Sequence, residues 1–78
     1  MQRDNKDFLI KLGEKIKKLR TSRKLTLEAL CYPNGLEPST VMRIEKAQTV
    51  AKITTLLKLS QAFGISLSDL VNIPFSSQ

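Results

Sequence analysis

The chain contains no histidine and only one cysteine in 78 residues. Without histidine it holds no Ser-His-Asp or Cys-His catalytic arrangement and no His-ligated metal. A single cysteine builds neither a disulfide framework nor a thiolate zinc site within one chain. No catalytic residue, metal ligand or cofactor is therefore expected, and the chain does not read as an enzyme. No apolar run approaches the length of a membrane span. The opening letters MQRDNKDF lack the apolar stretch of a secretory signal. The expected address is a reducing cytoplasm, with no membrane partner.

The charge that is present has one dominant sign. Thirteen Lys and Arg face seven Asp and Glu, a formal net charge of +6. Residues 1–24 hold nine of the basic side chains (Arg3, Lys6, Lys11, Lys15, Lys17, Lys18, Arg20, Arg23 and Lys24) against Asp4, Asp7 and Glu14. Residues 25–78 hold four of each sign and sum to zero. A basic segment of this kind suits a polyanion, nucleic acid or anionic lipid, and equally suits a plain solvated helix face.

Five helical segments are predicted and no strand. The first spans about Asp7 to Ser22, with Leu9, Leu12, Ile16 and Leu19 on one face. The second starts at Thr26, an N-cap residue with Glu28 in the first turn, and ends at Tyr32-Pro33-Asn34-Gly35. The third runs from Pro38, a favoured first helical residue, to about Lys46. The fourth covers about Lys52 to Phe63 and is apolar around much of its circumference, with Gly64 placed to end it. The fifth opens with Ser66-Leu67-Ser68-Asp69, a variant of the capping box, and Pro74 forbids its continuation. The fold class is all-α. The expected division is a flexible N-terminus over 1–6, a domain over 7–72 with its motif at about 26–46, and a C-terminal tail over 73–78.

Two short helices separated by a glycine-containing turn have the outline of a helix-turn-helix. On the third segment Val41 and Ile44 mark the buried side. Ser39, Arg43 and Lys46 fall opposite them at i, i+4 and i+7, with Met42 and Pro38 flanking. A helix face carrying Arg and Lys among small neighbours suits a DNA major groove, where Arg forks onto guanine O6 and N7. It also suits an ordinary wet surface.

The run Leu12-Gly13-Glu14-Lys15-Ile16-Lys17-Lys18-Leu19-Arg20 resembles the opening helix of the Cro/CI-type helix-turn-helix proteins, the XRE family. Thr26, Leu30, Gly35, Leu36, Ser39-Thr40-Val41 and Arg43-Ile44-Glu45 keep the order and spacing of that family's motif, and residues 56–70 are similar to its last two helices. The resemblance covers about residues 9–71. It implies a five-helix, lambda-repressor-like domain that binds double-stranded operator DNA as a homodimer and regulates transcription, most simply as a repressor. Carried over by position, it implies base reading by Pro38, Ser39 and Arg43 and phosphate contact by Thr40 and Lys46. Thr26 and Met42 complete the expected DNA-binding set. Arg20 and Glu45 stand where the family carries an ion pair between its first and third helices.

The departures from the family pattern are specific. Leu27 replaces a phosphate-binding Gln, and Lys24 and Ala47 replace glycines expected at turns. Glu37 puts a carboxylate at the entrance of the recognition helix, where it can cap the helix or accept from cytosine N4 but repels phosphate. Pro38 can offer a base only apolar contact. Cys31 reads as a buried, inert thiol. These departures keep open an alternative: a protein-interaction module of the same fold, antitoxin-like or a co-regulator, with operator binding weakened or lost. With no effector domain after the motif, no small-molecule ligand is expected. The dimer interface is expected at the C-terminal end, at Leu67, Leu70, Val71, Ile73 and Phe75.

Overall fold

The computed structural model describes residues 2–74, with side chains from residue 5 onward. Five helices follow in chain order: α1 (Gln2–Ser22), α2 (Leu27–Cys31), α3 (Pro38–Glu45), α4 (Ile53–Phe63) and α5 (Leu67–Leu70). A 3-10 turn, Tyr32–Asn34, extends α2. No strand occurs among the described residues.

The helix starts follow local chemistry. Thr26 caps α2, its hydroxyl oxygen accepting from the Ala29 amide at 3.0 Å. Ser66 caps α5 in the same way, accepting from the Asp69 amide at 3.0 Å. Each cap satisfies an amide that the helix itself leaves without a partner. The helix ends depend on left-handed residues. Gly64 (φ 72°) terminates α4 at no steric cost. Lys24 (φ 58°) and Ala47 (φ 57°) occupy the same conformation after α1 and α3. The Leu25 amide reaches back to Arg20 O at 3.1 Å, and the Gln48 amide to Arg43 O at 2.8 Å. The two turns expected to need glycine therefore keep their geometry, and each L-residue bears the strain.

Two boundaries differ from expectation. α1 starts at Gln2, so residues 2–6, expected to lie outside the helix, belong to it. Nothing in Gln2–Lys6 breaks a helix. Asp7 and Lys11, one turn apart, pair at 3.4 Å and support the extension. At the other end, Ile73 is buried, not part of a free tail. It packs with Leu70 into the chain's own core, so neither is open to a second copy as expected. Phe75 lies outside the described residues.

The core joins Leu12 and Ile16 of α1, Leu30 and Cys31 of α2, Val41 and Ile44 of α3, Leu56, Leu59 and Phe63 of α4, and Leu70 with Ile73. α1 lies along α3 and also touches α5, α2 packs on α3, and α4 packs on α5. The long first helix thereby supports the short helix-turn-helix from behind.

Candidate nucleic-acid interface

The α1–α3 contact sets the position of the third helix. Gly13 is buried, and a Cβ built on it would stand 2.5 Å from the carbonyl oxygens of both Ile44 and Glu45. Only glycine lets the end of α3 approach α1 this closely. Seven residues on, Arg20 Nε donates to Glu45 Oε2 at 2.7 Å and Nη2 donates to Glu45 Oε1 at 3.0 Å. Arg20 Nη1 also donates to Leu25 O at 2.8 Å. The two side chains are 12 % and 4 % exposed. A bidentate, nearly buried pair fixes orientation as well as distance. The hydrogen bond to Glu45 raises the Arg20 pKa above its usual range, against the opposing effect of burial, so the guanidinium stays charged. Cys31 is fully buried, and desolvation pushes its thiol pKa up, which leaves it protonated and poorly reactive.

Several cations of α1 serve the fold. Arg23 Nη2 donates to Phe63 O at 2.9 Å, and its guanidinium lies 5.2 Å from the Phe63 ring centroid. Lys15 donates to Asp69 O and Asn72 O, at the end of α5 where the helix dipole favours positive charge, and Lys11 donates to Pro74 O at 3.3 Å. With Arg20, four of the nine basic side chains of residues 1–24 are thus bound to the protein itself. The basic excess of the first segment overstates the charge free to meet a polyanion.

The other side of α3 is open. Ser39, Arg43 and Lys46 are exposed, and Pro38, Thr40 and Met42 are half-buried. The expected contact residues divide between two grooves that flank the helix. On the α2 side, Pro38, Ser39 and Met42 line a groove with Leu27, Glu28, Tyr32 and Glu37. It is apolar, with Tyr32 69 % exposed, and edged by two carboxylates. On the α4 side, Thr40 and Arg43 line a cleft with Thr49, Lys52, Thr55 and Lys58. It combines hydroxyls with three cations and the Glu37 carboxylate. Lys46 is the exposed C-cap of α3. Thr26 is exposed too, but its hydroxyl oxygen already caps α2. Thr40 Oγ1 donates to Glu37 Oε1 at 3.1 Å.

Lys52 and Lys58 were missed by sequence reading, because residues 25–78 balance to zero in total. The balance hides a segregation. Of the four acids there, Glu45 is paired with Arg20, Asp69 lies on α5 and Glu28 lines the α2-side groove. That leaves Glu37 as the acid in the cleft, whereas the four bases Arg43, Lys46, Lys52 and Lys58 all lie on or beside the open side of α3. Among the described residues none of these four makes an ion pair. Lys58 does donate to Gly35 O at 3.3 Å.

Comparison with known proteins agrees with this geometry. A helix-turn-helix family model matches residues 16–70. Three solved structures share the fold. The competence regulator ComR from Streptococcus vestibularis, in its apo form, aligns at 26 % identity and TM-score 0.78 over 83 % of this chain and 22 % of its own. An HTH_3 family transcriptional regulator from Vibrio cholerae aligns at 27 % identity and TM-score 0.77, over 86 % and 38 %. The restriction-modification controller protein C.AhdI from Aeromonas hydrophila aligns at 34 % identity and TM-score 0.75, over 80 % and 94 %. The chain therefore spans well under half of the first two proteins and nearly all of the third. No curated protein sequence matches it. The chain belongs to the XRE helix-turn-helix family of DNA-binding domains.

Proposed function

We propose that this chain is a sequence-specific regulator of transcription of the Cro/CI type, which binds double-stranded operator DNA as a homodimer in the cytoplasm. The observation that carries the reading is the open side of α3. An eight-residue helix is braced from behind by a buried ion pair and presents, between two grooves, Ser39, Arg43 and cations that make no ion pair among the described residues. In this reading Pro38, Ser39, Met42 and Arg43 meet base edges, and Lys46 and the amino end of α2 at Thr26 meet phosphates, the Thr40 hydroxyl proton being taken by Glu37 Oε1. Repression is the simplest mode, since a helix seated in a promoter excludes other proteins by occupancy alone. The similar structures, a competence regulator, a transcriptional regulator and a restriction-modification controller, support regulation.

The homodimer has two supports. One recognition helix reads few base pairs, whereas a two-fold pair reads two half-sites about 34 Å apart. Val50, Ile53 and Leu57 are 73 %, 64 % and 43 % exposed at the start of α4, which leaves an apolar strip for a second copy.

The test is DNA binding as a function of salt. If about four to six phosphates are neutralised per bound unit, log K against log salt falls with a slope of about −0.9 per phosphate. Binding that does not change between low and physiological salt would overturn the reading and leave the protein-interaction alternative, which the acidic edge of the α2-side groove favours.

A further inference from the structure

Glu37 has no role in the interface described so far. It stands immediately before α3 with φ −98° and ψ 124°, the position of an N-cap, yet its side chain makes no capping bond to the helix. Its Oε1 instead accepts from the Thr40 hydroxyl at 3.1 Å, which holds an exposed carboxylate at the amino end of α3. The residue borders both grooves. On the α2 side it adjoins the apolar surfaces of Pro38 and Met42, with Glu28 beyond.

A phosphate is poorly matched to a groove edged by two carboxylates. A base edge is well matched. An ionised carboxylate is acceptor-only. In the major groove its complement is an exocyclic amine, N4 of cytosine or N6 of adenine, while the N7 and O6 acceptors of guanine repel it. The complement of an apolar surface there is the methyl group of thymine. Arg43, on the other flank of the same helix, has guanine as its complement.

We propose that Glu37 is a specificity-determining residue. Its carboxylate, positioned by Thr40, accepts a hydrogen bond from the exocyclic amine of a cytosine or adenine, while Pro38 and Met42 lie against a neighbouring thymine methyl. Each half-site then carries an amine-bearing base opposite the amino end of α3 and a guanine toward Arg43. This rests on the DNA-binding reading above and adds the identity of the bases.

The experiment is selection of bound duplexes from a random pool by the parent protein, Glu37→Gln, Glu37→Ala and Thr40→Val, followed by sequencing. The parent should fix cytosine or adenine at one position per half-site. Glu37→Gln should move that position to adenine, because an amide pairs bidentately with N6 and N7. Glu37→Ala should let all four bases into that position and leave the others intact, and Thr40→Val should relax the same position in part. A parent motif that passes unchanged through both Glu37 variants overturns this assignment while leaving DNA binding intact. Guanine or thymine at the affected position overturns it too. A parent that enriches no motif overturns the DNA-binding reading and this assignment together.

Discussion

The two sides of α3 are built on opposite principles. Toward α1 everything is fixed: Gly13 admits the carbonyls of Ile44 and Glu45, and Arg20 grips Glu45 in two places within a nearly water-free contact. Toward solvent Arg43 and Lys46 are exposed and make no ion pair among the described residues. A buried charge must have its partner inside the fold, whereas a charge meant for a ligand must lack one. The rigid side positions the helix, and the open side is free to meet whatever occupies the grooves. Substitutions on the rigid side should therefore be read in stability, and substitutions on the open side in binding.

The largest effect should come from the ion pair. Arg20→Met or Glu45→Gln leaves one charge buried without its partner, at a cost of about 3–5 kcal/mol. That is a large share of the few kcal/mol that hold so small a domain. Thermal or denaturant melts decide it. A variant that melts with the parent would erase the contrast between the two sides.

Gly13→Ala comes next. The new methyl would need the space of two backbone oxygens that a packed helix cannot move away cheaply. The helix propensity gained, about 1 kcal/mol, is opposed by overpacking of about 1–3 kcal/mol in a site with little freedom to yield. A net loss is expected. Its effect should not add to that of Glu45→Gln, because both act on the end of α3, and a double-mutant cycle measures that coupling.

On the open side, Arg43→Ala should leave the melt unchanged. It should weaken the best operator by about 1–3 kcal/mol and relax one base position. Lys46→Ala should weaken specific and non-specific DNA alike, as loss of a phosphate contact does. If Arg43→Ala also lowers both equally, Arg43 holds backbone and reads no base.

The rigid side was more legible in the sequence than the open one. The stripe Leu12, Ile16 and Leu19, the caps Thr26 and Ser66, and the stop at Gly64 are local signals whose chemistry operates within one turn. The register of the motif placed Arg20 and Glu45, and the fold joins them. The start of α1 escaped because helix ends carry weak signals when no breaker is present. The allegiance of Ile73 escaped because only tertiary packing decides whether a residue after the last helix turns inward. The split of the expected contact residues between an acidic, apolar groove and a basic cleft was hidden for a related reason. Lys52 and Lys58 lie 9 and 15 residues beyond Arg43, and only the return of α4 beside α3 brings them to it.

The smallest effects should come from the two turns that join the sides. Lys24 and Ala47 sit at φ 58° and 57°, where an L-residue is strained by roughly 1–2 kcal/mol. Glycine removes that strain but adds conformational freedom to the unfolded chain, at a cost of about 0.4–1 kcal/mol. The difference favours Ala47→Gly and Lys24→Gly by about 0–1.6 kcal/mol, a rise of several degrees in Tm at most for a domain of this size. Ala47→Gly is the cleaner case, because no charge is lost and the Gln48 amide keeps its bond to Arg43 O. It also tests the division between the two sides. Ala47 directly follows Lys46 at the end of α3, so a gain in Tm with operator affinity unchanged would show that the turn serves only the scaffold. A gain in Tm paired with weaker binding would show that the strained turn helps to hold Lys46 in place, and the boundary between the rigid and open sides would then have to move to include it.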